Sequence, residues 1–155
     1  MTEITLLDGG IGQELVHRAG DSPTPLWSTQ VMMDRPGLVA QVHRDFSEAG
    51  ATIATLNSYA IHKDRLAPVG IEDQFEVLHA KARGEAQSAR AAHGSGKIAG
   101  SIGPLGASYR ADIHPRAEIA VPLYTEVAQQ YVGAVDLVIC ETVVSIEQTR
   151  CILEG

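Results

Sequence analysis

The 155-residue sequence predicts an α/β fold in which parallel strands alternate with helices. Four short apolar runs begin at residues 4, 51, 97 and 135, and segments with helical periodicity separate them. The connections from helix to strand are short, whereas those from strand to helix are long. A β/α barrel and an open doubly wound sheet share this pattern, and both bind ligands at the carboxyl ends of their strands.

The four strands are predicted from runs rich in β-branched residues, namely ITLL at 4–7, ATIATL at 51–56, KIAGS at 97–101 and VDLVIC at 135–140. The Asp-Gly pair after the first run would favour a hairpin, but no alternating strand follows Gly10. Instead, Ile11, Leu15 and Ala19 recur at helical spacing, so Asp8 is predicted to end a strand that leads into a helix.

Helices are predicted wherever apolar residues recur with a period near 3.6. The segments that meet this condition are 36–49, 72–92 and 117–132. A last helix is predicted to begin at Ser145, because Ser145 and Gln148 have the spacing of a capping box.

Composition indicates a single soluble domain, with 45% hydrophobic and 20% charged residues. A net charge of -7 without a basic cluster argues against nucleic acid or an anionic membrane as the main partner and favours a small polar substrate. The sequence has no apolar run of membrane-spanning length and no signal-peptide pattern, so we expect a cytoplasmic protein. Cys140 and Cys151 form neither a disulfide framework nor a CxxC pair and are expected to be small buried residues.

Polar residues at three predicted strand ends are candidates for a binding site: Asp8, the segment NSY at 57–59, and Glu141. Glu141 directly follows the apolar run 135–140, which is expected to be buried, so it needs a partner, a ligand or water to offset its desolvation. Asp8 is equally explained as a turn former, and Asn57 and Ser58 as ordinary loop residues. Two carboxylates at this face would suit the ammonium group of a ligand.

Other residues give weaker signals. The six histidines have no recognisable metal-ligand spacing, and most are expected to be solvated: His17, His43, His62, His79, His93 and His114. Trp27, Tyr59 and Tyr109 could line a pocket or pack between loops.

Five blocks of sequence together resemble the homocysteine S-methyltransferases in order and spacing. They are LLDGGIGQEL, PLWS, VHRDFSEAGATIATLNSYA, AGSIGPLGASY and VDLVICETVVSIEQTR, and they cover nearly the whole chain. The resemblance implies a (β/α)8 TIM-barrel type of fold and methyl transfer to the thiol of homocysteine, which gives methionine. By the same resemblance, Asp8 with the backbone of Gly9, and Glu141, would hold the amino-acid end of homocysteine. Asn57 and Ser58 would line the same pocket.

The resemblance also implies zinc, which three cysteine thiolates bind in that family and which activates the homocysteine thiol. Neither Cys140 nor Cys151 matches those ligands. We therefore expect residues 1–155 to be a single domain, the N-terminal half of the barrel with about the first four β/α units, and the zinc ligands to be absent. Such a half should self-associate or pair with the missing half. On its own it is expected to bind no catalytic zinc and to transfer no methyl group.

Two alternatives remain open from the residues. A β/α-barrel lyase or aldolase, or a doubly wound domain with similar strand ends, would be favoured by a Schiff-base lysine at a strand end. Lys97 instead begins its strand at the opposite end, Lys63 lies in a predicted loop and Lys81 in a predicted helix. A non-catalytic half-barrel that binds an amino acid is the other alternative. The methyl donor is not identified, because users of S-methylmethionine, adenosylmethionine, betaine and folate share this part of the pattern.

Overall fold

Residues 4–22 and 24–155 are described by the computed structural model. In these ranges, helices and parallel strands alternate along most of the chain. The helices are α1 Ile11–Arg18, α2 Ser28–Asp34, α3 Leu38–Glu48, α4 Lys63–Leu66, α5 Phe75–His93, α6 Ala117–Gln129 and α7 Ile146–Glu154. The strands are β1 Ile53–Thr55, β2 Lys97–Ile102 and β3 Leu137–Cys140. None of the helices in these ranges has both the length and the apolar character that a membrane crossing requires.

The three strands form one parallel sheet in the order β1-β2-β3, as the sequence predicts. Ile53 is in register with Lys97 in the first pair of strands, and Ala99 with Leu137 in the second. Helices α3, α5 and α6 contact β1 and β2, and the hydrophobic core extends from there to α1, α2 and α7. The α/β class with a parallel sheet is therefore confirmed.

The first predicted strand, at 4–7, is present only as a short extended segment beside β1. Leu7 forms an isolated parallel bridge with Ile53, and the amide of Thr52 donates to the Leu6 carbonyl at 2.9 Å. Leu6 and Leu7 remain about half exposed, because no described residue pairs with the outer side of this segment. The chain thus places four parallel segments side by side, and the first of them makes too few ladder bonds to count as a strand.

The predicted buried run at 135–140 is only half buried. Residues of β3 alternate between partly buried and exposed, with Val138 45% exposed. The reason is that β3 is the last strand of the described sheet, whereas the central strand β2 is buried from Ile98 onward.

The expectation that both cysteines are buried is wrong for Cys140, which is exposed at the end of β3, and correct for Cys151.

The predicted helix at 36–49 begins later, at Leu38, and its cap comes from another helix. Its N-cap residue Gly37 has a φ of 88° and no side chain to accept a hydrogen bond. Instead, the carboxylate of Glu85 in α5 accepts from the amides of Gly37 and Ala40, each at 2.8 Å. A negative charge at this position also interacts favourably with the helix dipole.

Replacing Glu85 with Ala is expected to lower the free energy of unfolding by about 1–2 kcal/mol, because two amides at the start of α3 lose their acceptor. Urea denaturation measures the change. Gln87→Ala in the same helix is the control, since Gln87 is exposed. Equal stability of the two variants would show that Glu85 contributes no cap energy.

The predicted N-cap at Ser145 is confirmed, but the reciprocal bond of the capping box is shifted by one residue, from the amide of Ser145 to that of Val144. Ser145 accepts a hydrogen bond from the amide of Gln148 at 3.1 Å, and the Gln148 side chain accepts from the amide of Val144 at 2.9 Å.

The predicted helices at 72–92 and 117–132 are also present, with ends shifted by up to three residues. Two short helices were not predicted, α2 and α4. Lys63 therefore begins a helix rather than lying in a loop.

Candidate functional site

A cavity of about 770 Å³ lies at the carboxyl ends of the parallel segments. Each of the four segments contributes lining residues from the loop that follows it: 8–13 after the first segment, Leu56, Asn57, Tyr59 and Ala60 after β1, Ser108 and Tyr109 after β2, and Glu141 and Thr142 after β3. The long strand-to-helix loops predicted from the sequence therefore form the wall of one cavity.

Asp8 lines this cavity and also fastens the first segment to β1. Its side chain is only 2% exposed, and its two carboxylate oxygens accept hydrogen bonds from the backbone amide and the hydroxyl of Thr55, each at 2.6 Å. Burial raises the pKa of Asp8, and the hydrogen bonds from Thr55 oppose that rise. Asp8 is thus more than a turn former, because its carboxylate has a fixed orientation.

His43 of α3 lies behind Asp8. Its Nδ1 is 4.0 Å from Asp8 Oδ2, and neither ring nitrogen has a hydrogen-bond partner among the described residues. Burial lowers the pKa of His43 to about 4, so the ring is neutral at pH 7 and leaves the Asp8 charge unpaired.

The expectation that most histidines are solvated is wrong for three of them, since His43, His62 and His79 are at most 1% exposed. Desolvation lowers the pKa of His62 to about 3 and that of His79 to about 4. His43 and His79 are buried because α3 and α5 pack against each other and against the sheet, and the His62 ring lies against that of Tyr124, with centroids 6.1 Å apart. Sequence spacing alone does not reveal this packing.

Glu141 accepts a hydrogen bond from the hydroxyl of Ser101, a residue of β2 that is fully buried. The amide of Glu141 donates to the Ile102 carbonyl at 3.0 Å, which continues the sheet ladder by one residue. Ser101 is therefore the partner that the sequence required for this carboxylate. Sequence reasoning missed Ser101, although a hydroxyl residue in an otherwise apolar strand was a usable signal.

Asn57 lines the cavity, and its side-chain amide connects the loop after β1 to the first residue of α2. Its Oδ1 accepts from the Ser28 hydroxyl at 2.7 Å, and its Nδ2 donates to the Ser28 carbonyl at 3.2 Å. The neighbouring Ser58 is fully buried and is not part of the cavity wall. Its hydroxyl contacts the Tyr131 hydroxyl at 2.9 Å. The structure therefore brings Asp8, Gly9, Asn57 and Glu141 together and leaves Ser58 beneath them.

Glycines allow the loops to approach aromatic rings closely. A Cβ atom on Gly9 would lie 2.7 Å from the Phe46 ring, and one on Gly12 would lie 2.6 Å from the Trp27 ring. The absence of a side chain at Gly9 lets the Phe46 ring pack against its backbone, and Gly9 also lines the cavity.

The aromatic residues singled out in the sequence all line the cavity. Trp27 and Tyr59 meet edge to face, with ring centroids 6.5 Å apart. The Tyr59 hydroxyl contacts the Ser108 hydroxyl at 2.6 Å, and Tyr109 is 77% exposed at the rim.

Neither a metal site nor a Schiff-base lysine is found within residues 4–22 and 24–155. These ranges contain no group of three or more His, Cys, Asp or Glu side chains that could hold a metal ion. Cys140 lies at the end of β3, and the buried Cys151 packs in the hydrophobic core, where its thiol donates to the Glu147 carboxylate at 3.9 Å. The described side chains therefore do not fit the zinc that the resemblance implies. No lysine lines the described cavity, so the aldolase alternative lacks its catalytic group.

Comparisons with known proteins agree on one family. The family model described as homocysteine S-methyltransferase matches residues 5–155. A homocysteine S-methyltransferase of Escherichia coli strain K12 is 31% identical over 167 aligned residues, which cover 98% of this chain and 54% of the relative. The homocysteine S-methyltransferase YbgG of Bacillus subtilis is 27% identical, with 97% and 53% covered.

Solved structures agree with the sequence comparisons. The homocysteine methyltransferase MmuM from Escherichia coli, in its metallated form, superposes with a TM-score of 0.87 at 31% identity. The match covers 99% of this chain and 58% of that one. The chain spans about half the length of the curated full-chain relatives it matches.

Proposed function

Because the chain belongs to the homocysteine S-methyltransferase family, we propose that it takes part in methyl transfer to the thiol of homocysteine, with methionine as the product. The observation that carries the proposal is the pair of carboxylates, Asp8 and Glu141, in the wall of one cavity at the strand ends. This arrangement suits the ammonium group of an amino acid.

Each residue of the wall has a proposed role in holding homocysteine. Glu141, oriented by Ser101, accepts from the substrate ammonium, and Asp8 contributes a second negative charge. The backbone of Gly9 contacts the amino-acid end. Asn57 keeps Trp27 and the start of α2 in place beside the substrate, and Ser58 supports the wall from below through Tyr131.

We propose that residues 1–155 correspond to the N-terminal half of a (β/α)8 barrel and supply about its first four β/α units. Four parallel segments in chain order and the partial coverage of the relatives support this proposal. The ligands of the family's zinc would then lie outside this chain, and zinc would make the homocysteine thiol reactive there. The chain's own residues bind and orient the amino-acid end. The two free cysteines suit a reducing compartment, and we place the protein in the cytoplasm.

Calorimetry with homocysteine and methionine tests the binding proposal directly. Saturable heat is expected with both amino acids and not with propane-1-thiol, which lacks the ammonium and carboxylate groups. A parallel assay for methionine formation separates binding from catalysis. Absence of saturable binding by homocysteine would contradict the proposed function.

The isolated chain is expected to contain no stoichiometric zinc and to form no methionine with S-methylmethionine, adenosylmethionine or betaine as donor. Tetrahedral zinc sites need three or four converging ligands, and the described residues supply no such group. Metal analysis of the purified chain measures this, with Cys140→Ser as the control for adventitious binding to the exposed thiol. Stoichiometric zinc together with turnover would overturn the half-barrel proposal.

The chain is also expected to self-associate through its open sheet edges. Leu6, Leu7 and Val138 are 52%, 48% and 45% exposed, and the outer sides of β3 and of the first segment are unpaired in the described ranges. Sedimentation velocity should show a sedimentation coefficient that rises with concentration. Val138→Lys should weaken this association, whereas Val77→Lys on the exposed side of α5 should not. A monomer at every concentration would contradict the expectation.

A further inference from the structure

Arg65 of α4 is the one cationic side chain among the described residues that line the cavity. It shares the wall with the carboxylates of Asp8 and Glu141. A cavity with both signs of charge suits a ligand that carries both an ammonium and a carboxylate group.

The Arg65 guanidinium is held by two loops. Its Nη2 donates to the Pro104 carbonyl at 2.7 Å, and its central carbon lies 5.4 Å from the centre of the Tyr59 ring. Tyr59 is itself held by Ser108. The guanidinium is therefore positioned before any ligand arrives, which lowers the entropy cost of binding.

Arg65 has no carboxylate partner among the described residues. Arg18, Arg90 and Arg110 form ion pairs with acidic side chains, whereas Arg65 forms none. The adjacent Asp64 instead accepts from the amide of Gly106 at 2.6 Å. The Arg65 Nε is buried without a hydrogen-bond partner and is closed to a ligand, whereas Nη1 is accessible and has no hydrogen-bond partner among the described residues, so the Nη end of the guanidinium can donate to a ligand.

We infer that Arg65 binds the carboxylate of an amino-acid ligand whose ammonium group faces Asp8 and Glu141. This inference rests on the proposed function, which supplies homocysteine as a carboxylate-bearing ligand, and an amino-acid methyl donor such as S-methylmethionine would be a second one. A guanidinium fork matches a carboxylate in a bidentate manner. The cavity, at about 770 Å³, has the size of sites that hold ligands larger than one amino acid.

The test compares each ligand with its analogue that lacks the carboxylate. Homocysteine is compared with 3-aminopropane-1-thiol, and S-methylmethionine with (3-aminopropyl)dimethylsulfonium, by calorimetry on the complete chain. The variants are Arg65→Gln and Arg65→Lys. Arg150→Gln in α7 is the matched control, because the Arg150 side chain is 68% exposed and lies outside the cavity.

With the unsubstituted chain and Arg150→Gln, the carboxylate is expected to strengthen binding roughly ten- to a hundredfold in one ligand pair. In Arg65→Gln this ratio should fall close to one, and the pair that responds identifies the source of the carboxylate. Arg65→Lys keeps the charge without the fork and should give an intermediate ratio. If circular dichroism shows that Arg65→Gln does not fold, the binding ratio in Arg65→Lys tests whether Arg65 binds the carboxylate.

An unchanged ratio in both pairs would overturn the role of Arg65 and leave the proposed function intact, provided that homocysteine still binds. Failure of the unsubstituted chain to bind homocysteine would instead overturn the proposed function and this inference together.

Discussion

Lowering the pH from 7 to 5 is expected to destabilise the fold by several kilocalories per mole, because three histidines are buried in their neutral form. The pKa values of His43, His62 and His79 in the folded chain are about 4, about 3 and about 4. An unfolded histidine titrates near 6.5. The unfolded chain therefore binds protons first as the pH falls, so the stabilisation is complete above about pH 6.5 and declines toward pH 4.

Each buried histidine is expected to cost about 2 kcal/mol between pH 7 and pH 5, and the three together roughly 5 kcal/mol. That sum is comparable to the whole stability of a small domain. Asp8 acts in the opposite sense, since its raised pKa favours the folded state as the pH falls. Urea denaturation at both pH values measures the balance.

A variant at His62 assigns this effect to the histidines. Neither nitrogen of His62 has a hydrogen-bond partner among the described residues, so His62→Phe removes the titrating group without breaking a hydrogen bond in the described structure. It should reduce the loss between pH 7 and pH 5 by about 2 kcal/mol. His93→Gln, at an exposed position, should leave the loss unchanged. Equal unfolding free energies of the unsubstituted chain at both pH values would contradict the argument.

Replacing Glu141 with Gln is expected to weaken homocysteine binding roughly ten- to a hundredfold, because a charged hydrogen bond to the substrate ammonium contributes about 1.5–3 kcal/mol. The amide oxygen of Gln can still accept from Ser101, so the melting temperature should change little. Calorimetry on the chain, and the Michaelis constant in a complete enzyme, both report the loss.

Two further variants sharpen this test. Glu147→Gln removes a carboxylate that is 60% exposed and lies outside the cavity, and it should leave binding unchanged. Ser101→Ala keeps the Glu141 charge but removes its hydroxyl partner, and it should weaken binding less than Glu141→Gln does. Unchanged affinity in Glu141→Gln together with a lower melting temperature would assign Glu141 a structural role only.

The parallel order of the strands could be predicted from the sequence, because a chain that alternates apolar runs with helical segments has few other ways to bury both. The prediction that β3 is buried was wrong, because a run of apolar residues does not reveal whether a strand lies in the middle of a sheet or at its edge. Val138 and Cys140 face outward for that reason. The position of α2 was missed because its seven residues carry no clear amphipathic pattern.

The candidate site was predicted only in part. Asp8 and Glu141 follow strands directly, so chain topology alone places them at the same end of the sheet. Ser101 and Thr55 were not recognised, because their contacts with the carboxylates depend on which strands are neighbours. Arg65 lies on a helix that the sequence did not predict, and its approach to Tyr59 depends on how that loop folds.

The carboxylate of Glu85 connects the start of α3 to a helix that lies 48 positions further along the chain. Because α3 carries no side-chain cap of its own, two amides of its first turn lack an acceptor until α5 is in place. The two helices should therefore become stable together, and a peptide spanning only 38–48 should stay largely unstructured in water. In amide hydrogen exchange, the first turn of α3 should open in the same cooperative step as the middle of α5.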